Sequence, residues 1–441
     1  MRSLRLALVL LAVGPFALVA QAAPAATLSP AERAIVASVD AHRAESLALL
    51  EQLVNINSGT HNFPGVRQVG DILRARFDAL GFTTRWIDGT PFGRAGHLVA
   101  EHRGPGPRLL LIGHLDTVFE PSSPFQRFTR IDDSTATGPG IIDMKGGDVI
   151  MMSALTALRE AGVLASMHVV VVMDGDEEEA GQPIAAARAA LVEAATGATF
   201  ALGFEDGAGD PRSAVVSRRG ATEWTLRTTG HAGHASQIFG AALGAGAVFE
   251  ASRILHDFYR ELGHEPLLAF SPGLVLAGSE LSLGSAGTSG SASGKRNVVS
   301  RQAVVTGDMR TISPAQLAHA QAAMRAIVAR HLPGTDASIA FDDAYPPMSP
   351  SEGNRRLLAR YDRASRDIGA GPVVAVDPAR AGAADISFVA ALVPMKLDGI
   401  GLSGHDDHSA TETADLRMLT VQAKRAALVM ARVSRLEGTR P

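Results

Sequence analysis

The chain has 441 residues, a formal net charge of −4 and no cysteine. Disulfides, thiolate metal ligands and a cysteine nucleophile are therefore excluded, so any metal must be held by His, Asp or Glu. The mildly acidic balance argues against a general nucleic-acid binder. The length exceeds the roughly 250–300 residues that one core encloses, which implies two domains.

In chain order, "MRSLRLALVLLAVGPFALVAQAAPAA" comes first. Arg2 and Arg5 precede a short apolar run and the small-x-small sequence Ala20-Gln21-Ala22. Residues 1–22 are predicted to be a secretory signal peptide cut after Ala22, so the mature protein is expected to be exported, periplasmic or secreted. Pro15 interrupts the apolar run, which is too short for a stable membrane anchor.

Two stretches of helical periodicity follow, "AERAIVASVDAHRAESLALLEQLVNI" and "GVRQVGDILRARFDALG". The period then changes. "PRLLLIGHLDT" reads as a strand, "IIDMKGGDVIMMSALTALREAG" as a turn and helix, and "MHVVVVMDGDEEE" as a strand. "PIAAARAALVEAA" reads as a helix and "ATFALGFEDG" as a strand. This alternation predicts an α/β domain, residues 23–214, with a mostly parallel central sheet flanked by helices.

Residues 215–344 read differently. "AVVSRRGATEWTLRTTG" has antiparallel character, two helices follow ("ALGAGAVFEASRILHDFYREL" and "SPAQLAHAQAAMRAIVARHL", the second capped by Ser313), and strands surround a Gly/Ser-rich stretch at 284–294. These features predict an inserted α+β domain, with the Gly/Ser stretch as a mobile loop. The helix–strand alternation returns in residues 345–441, the second part of the α/β domain.

The acid run Asp174, Asp176, Glu177, Glu178 and Glu179 follows four valines and a methionine. A solvated acidic loop is one reading. The other is a cation site, because crowded carboxylates are tolerated where metal charge neutralises them. Ligands of parallel α/β sheets bind beyond the carboxyl ends of the strands. Three predicted strand ends carry metal-ligating residues: His114 and Asp116, the acid run, and Glu205 with Asp206. Asp143 sits in a glycine-rich turn, and His405 and His408 lie near the C-terminus.

The motifs "GHLDT", "GPGIIDMKGG", "GDEEE", "GFEDG", "GHAGHAS", "RNVVSRQAVVTGDMR" and "HSATE" occur together and in order. With them the chain resembles the zinc-dependent aminopeptidase-like hydrolases. That family includes carboxypeptidase G (glutamate carboxypeptidase), acetylornithine deacetylase, succinyl-diaminopimelate desuccinylase and aminoacylase, and the likeness is strongest to the carboxypeptidase G branch. The resemblance implies two zinc ions per subunit, with cobalt or manganese able to substitute. His114 would bind one ion and Asp143 would bridge both. Glu178 and Glu205 would each bind one ion, with Asp206 the alternative to Glu205. His408 would complete the second site, with His405 the alternative. Asp116 would orient His114, and Glu177 would act as general base toward the water between the ions. In an extended backbone Glu177 and Glu178 diverge, so one can face the metal and the other the water.

The resemblance also makes residues 215–344 a lid or dimerisation domain and implies a homodimer. His234, or alternatively His231, would reach a partner subunit's site and stabilise the oxyanion. Arg310 and Asn297 would bind the carboxylate and carbonyl region of a small peptide or N-acyl amino acid. The expected reaction is release of a C-terminal amino acid, glutamate being one option, by amide hydrolysis. The alternatives are an N-acyl-amino-acid deacylase and an inactive family member acting as a binding protein. Two stretches depart from the carboxypeptidase G pattern, "EAGQP" and "ARAGAADISFVAALV", the second with Asp385 and Ser387 in the matching segment; both are expected to line the substrate side.

Overall fold

The computed structural model describes residues 28–206 and 209–435. The predicted signal peptide lies outside the described residues. Among the described residues, no helix is long and apolar enough to cross a membrane.

A six-stranded sheet organises the molecule, in the order Thr83–Asp88, Gly96–His102, His168–Asp174, Arg108–His114, Phe200–Gly203, Met395–Leu397. The last four strands pair in parallel and the first two join antiparallel, so the sheet is mixed. The antiparallel pair is not predicted from the sequence. Its outer strand keeps Thr83 and Arg85 at the surface, and a short 3-10 turn at Thr90–Phe92 interrupts the alternation.

Side chains alternate across a strand, and each face of this sheet has its own core. Leu109, Leu111, Val169, Val171, Phe200 and Leu202 pack on one side with the helices Pro30–Ala41, Arg43–Val54, Phe63–Ala79, Gly146–Glu160 and Met418–Val433. Leu110, Ile112, Val170, Val172 and Ala201 pack on the other with Ala190, Leu191, Ile386 and Val389. Burial on both faces explains why these strands read as continuous apolar runs. Each fully buried Val or Leu contributes about 1.5–3 kcal/mol relative to exposure. The first helix begins with a capping box between Ser29 and Glu32. The first predicted helical stretch is two helices, divided at His42, and the Pro183–Ala195 stretch is likewise two short helices divided at Arg188.

A second sheet is wholly antiparallel, in the order Ala269–Gly278, Gln302–Thr311, Gly220–Gly230, Thr335–Tyr345. Helices Ala247–Leu262 and Pro314–Val328 pack on it around a separate core of Trp224, Leu226, Ile254, Phe258, Val305, Met309 and Met324. The Ser313 hydroxyl caps the second helix by accepting from Gln316 N. In the Gly/Ser stretch, Gly290–Ser293 pairs with Glu280–Leu283, so part of the predicted mobile loop is the return arm of a hairpin. Small side chains permit that pairing even without an apolar alternation to signal it.

A third small sheet joins Gly404–His405, Thr413–Asp415, Thr135–Thr137 and Thr129–Arg130. It carries the His408 loop to the glycine-rich turn that holds Asp143.

Candidate metal centre

Three adjacent parallel strands end on one edge of the six-stranded sheet. His114 is the last residue of the Arg108–His114 strand. Glu177 and Glu178 follow the neighbouring His168–Asp174 strand, and Glu205 follows Phe200–Gly203 on the other side. Neighbouring strands lie about 4.8 Å apart, so these side chains converge by topology alone. The backbone at 177–179 is a bend and turn, not the extended segment that the sequence predicts. The turn still separates the two carboxylates, because it rotates successive side chains away from each other.

His114 Nε2 lies 3.0 Å from Asp143 Oδ1, and His408 Nε2 lies 3.0 Å from Asp143 Oδ2. Glu205 Oε1 is 3.7 Å from His114 Nε2, and Glu178 Oε2 is 3.1 Å from His408 Nε2. Asp143 therefore stands between two groups, each with one histidine and one glutamate. Ligand atoms of His114, Asp143 and Glu178 fall within 4.8 Å of one another, as do those of Asp143, Asp407 and His408. Glu178 thus touches both groups, and its shorter contact is with His408. Asp407 is exposed and was not predicted. Of the alternatives left open by the sequence, His405 is exposed, pairs with Asp406 and lines the adjoining cavity. Asp206 lines the adjoining cavity.

The supports are as specific as the ligands. His114 Nδ1 lies 3.2 Å from the Asp116 carbonyl, which turns Nε2 toward Asp143. The fully buried Asp116 carboxylate accepts from Thr60 Oγ1 at 2.7 Å and from the backbone N–H groups of Glu177 and Glu178. The Asp143 turn is held by Glu412, which accepts from the N–H groups of Gly140, Ile142 and Asp143 at 2.8, 2.8 and 3.2 Å. Gly140 has φ 68°, and a Cβ there would meet Thr117 Cγ2 at 2.3 Å. His408 also has a left-handed backbone, φ 58°. A histidine in that region is uncommon and is held there by its surroundings, a pattern concentrated at functional sites.

Electrostatics test whether cations fit. Burial, then Asp385, raises the Glu177 pKa well above the usual carboxylate range. Burial, then Asp143, raises Glu178 to about 7. Burial, with Asp143 adding to it, raises Glu205 well above its ordinary value. Burial also opposes ionisation of Asp143, but hydrogen bonds with His114 and His408 hold it low. Hydrogen bonds to Asp143 and Glu178 raise His408 to about 11. Burial opposes charge on His114, yet Glu205, Asp116 and Asp143 outweigh it and raise its pKa well above the usual value. Four acids crowd two imidazoles, and the histidines are drawn toward a charge that metal ligation makes unnecessary. Glu178 Oε1 is buried and has no hydrogen-bond partner among the described residues. An acceptor oriented without a donor and an excess of acid both fit dications.

The cluster opens on a cavity of about 540 Å³. Asp143, Glu177, Glu178, Glu205 and His408 form one wall, and Arg218 and Arg380 also line it. His234, Asn297 and Arg310 do not line it. His234 and Val298 form a bridge, and Ala235 N donates to the Asn297 carbonyl, so His234 and Asn297 share one patch of the antiparallel domain. Arg310 is at the other end of its strand, paired with Asp308. Within "ARAGAADISFVAALV", residues 380–383 line the cavity, as expected of that stretch, whereas Asp385 and Ser387 are buried and "EAGQP" is not on the cavity wall, which corrects the expectation for them. Asp385 binds Arg188 instead.

The acid run is divided by burial. Asp174 and Asp176 are fully buried, and Asp176 pairs with Arg188 at 2.6 Å. Glu179 is exposed and pairs with His61 and Arg94, so the solvated-loop reading holds for that residue alone. Sequence reasoning missed Arg188, Tyr345 and Glu412 as supports. Only Glu412 carried a signal, as the acid that closes "HSATE".

A model described as peptidase family M20/M25/M40 matches residues 110–432. Carboxypeptidase G2 of Pseudomonas sp. (strain RS-16) is 27% identical over 367 residues, 82% of this chain and 82% of that protein. A succinyl-diaminopimelate desuccinylase of Acidiphilium cryptum (strain JF-5) is 30% identical over 138 residues, 31% of this chain and 34% of that protein. The crystal structure of aminopeptidase PepT from Bacillus cereus ATCC 10987 matches with a TM-score of 0.70 at 16% identity, over 89% of this chain and 99% of that one. Bacillus subtilis YXEP, described as a dinuclear metal binding peptidase from the M20 family, matches with a TM-score of 0.62 at 16% identity, over 90% of this chain and 99% of that one. At such identities the structural likeness speaks for the fold.

Proposed function

The chain belongs to peptidase family M20/M25/M40, and from that membership and the acid–histidine cluster we propose that it is a di-zinc hydrolase releasing a C-terminal amino acid from a peptide or N-acyl conjugate. At the level the family sets, it is a metallopeptidase or amidohydrolase. One observation carries the finer reading: His114 and His408 approach opposite oxygens of Asp143, with Glu177 on the same cavity wall.

In this reading His114, Asp143 and Glu205 hold one ion, and His408, Asp143 and Glu178 hold the other. Carboxylate with imidazole is a donor set that suits zinc. When bound, the ions supply Lewis acidity and lower the pKa of water from about 16 toward about 7. Asp116 fixes the His114 tautomer and, through the N–H groups of Glu177 and Glu178, the backbone of the base segment. The Glu177 carboxylate takes a proton from the attacking water and delivers it to the leaving nitrogen.

Arg380 on the cavity wall suits a substrate that carries a free carboxylate, glutamate conjugates among them, whereas Arg218 beside it is paired with Asp398. We also propose a homodimer. His234 and Asn297 sit together yet off the cavity, an arrangement that a second copy would complete. Export rests on the N-terminal segment alone. An N-acyl-amino-acid deacylase uses the same residues and differs only in the acyl group.

The test is a panel of peptidyl and N-acyl amino acids with free or amidated C-termini. Turnover of the free acids, with the amides at least tenfold slower, supports the reading, and the preferred acyl group separates the two substrate classes. Equal turnover of acids and amides would count against release of a C-terminal amino acid.

A further inference from the structure

Tyr345 ends the Thr335–Tyr345 strand, where the chain leaves the antiparallel sheet through Pro346 and Pro347. Its hydroxyl donates to the Glu177 carbonyl at 2.8 Å and accepts from Arg188 Nη2 at 2.8 Å. A hydroxyl has one proton to give, and here it goes to the backbone of the base.

Arg188 fixes the acceptor side. It is 1% exposed. Its Nε donates to Asp385 Oδ1 at 2.7 Å, and its Nη1 donates to Asp176 Oδ1 at 2.6 Å. Its Nη2 also reaches the Asp176 carbonyl at 3.0 Å. The Tyr345 ring meets Phe388 edge-on, with centroids 4.9 Å apart. Ring and hydroxyl are thus located by separate partners.

On its other side Glu177 donates its N–H to Asp116 Oδ1 at 3.0 Å. The base is therefore held through both of its backbone groups. One anchor, Asp116, belongs to the His114 strand end. The other, Tyr345, belongs to the antiparallel sheet. The second crossing between the two sheets is pinned as well. Arg218 and Met348 exchange both backbone hydrogen bonds, and Arg218 Nε binds Asp398 Oδ2 at 2.6 Å.

We propose that Tyr345 is a positioning residue: its hydroxyl makes the aim of the Glu177 side chain depend on how the antiparallel sheet is seated on the catalytic sheet. The inference rests on the reading of Glu177 as the base. A tilt of the Glu177 peptide re-aims the side chain on the same Cα, and a misplacement of about 1 Å can cost on the order of 100-fold in rate.

The test compares Tyr345→Phe with Phe388→Leu in the full-length, metal-loaded protein. Tyr345→Phe removes one oxygen and keeps the ring; Phe388→Leu removes ring packing and keeps the hydroxyl. We expect Tyr345→Phe to lower kcat by about tenfold or more with KM within about twofold, which marks a loss felt in the transition state. Bound metal and thermal midpoint should stay at wild-type values. Amide hydrogen exchange should accelerate in peptides covering residues 175–181 and not in the remainder. Phe388→Leu should leave kcat and that exchange near wild type. Unchanged exchange at 175–181 in Tyr345→Phe overturns the proposal, as does an equal kcat loss in Phe388→Leu or a loss of bound metal. A Glu177→Gln enzyme that keeps full turnover would sink the base assignment separately, since the exchange result does not depend on turnover.

Discussion

His114 and His408 face each other across one carboxylate, with each Nε2 lying 3.0 Å from a different oxygen of Asp143. The two histidines are 294 positions apart in the chain. The first is fixed by the central sheet, the second by the small sheet that pairs Thr413–Asp415 with Thr135–Thr137.

Asp143 serves both groups and His408 serves one, so their loss should differ. Asp143→Asn is expected to bind less than about one zinc per chain after dialysis, and His408→Ala about one, since three-residue sites lose a ligand in each case. Metal counting by mass spectrometry checks this. Identical counts in the two variants would show that Asp143 does not bridge.

In the proposed mechanism Glu177 moves a proton rather than holding an ion. Glu177→Gln should lower kcat roughly 100- to 10,000-fold while the bound metal stays at the wild-type count. Loss of metal along with activity would reassign Glu177 as a ligand.

Glu412 touches no proposed ion directly. It organises the Asp143 turn through three backbone N–H groups. Glu412→Ala is expected to weaken zinc binding by about 10- to 100-fold, the usual cost of removing a group that orients a ligand. Competition with a chromophoric chelator measures it, and an unchanged affinity would mean that the turn is self-supporting.

Lys396 offers a pH test away from the site. It is 4% exposed, donates to the Val393 carbonyl, and burial lowers its pKa to about 8 from 10.5. The unfolded chain therefore holds this proton more tightly than the folded one. Between about pH 8 and 10.5 the unfolded state binds more protons, and this group makes stability rise with pH. The urea midpoint of the wild type, measured relative to Lys396→Met, should rise from pH 7.5 to pH 9.5. A constant difference would mean that Lys396 titrates as it does in the unfolded chain.

The proposed ligands were legible because each lies in a short motif at a strand end or tight turn, and the parallel order of the strands does the assembly. His114, Asp143, Glu178, Glu205 and His408 all meet in the structure. The supports were less visible. Arg188 reads as one more polar position in an alanine-rich helix, and its partners Tyr345 and Asp385 lie 157 and 197 positions away. Nothing local marks a buried ion pair whose partners come from distant segments. The backbone of Glu177 and Glu178 was misread for a related reason, because the turn is set by acceptors on Asp116 and by Tyr345. His234 and Asn297 were singled out by family likeness; the structure makes them neighbours, yet a single chain leaves them off the cavity. The antiparallel Thr83–His102 pair was hidden by the solvent-facing residues of its outer strand, Thr83, Arg85 and Asp88.

The most direct test of a two-ion centre is zinc titration into the chelated wild-type protein, with bound metal and turnover of a peptidyl or N-acyl amino acid followed together. The account predicts no turnover after chelation, binding of about two ions per chain, and recovery of turnover as they bind. Full turnover in the metal-free protein, or no bound zinc at saturation, would contradict it.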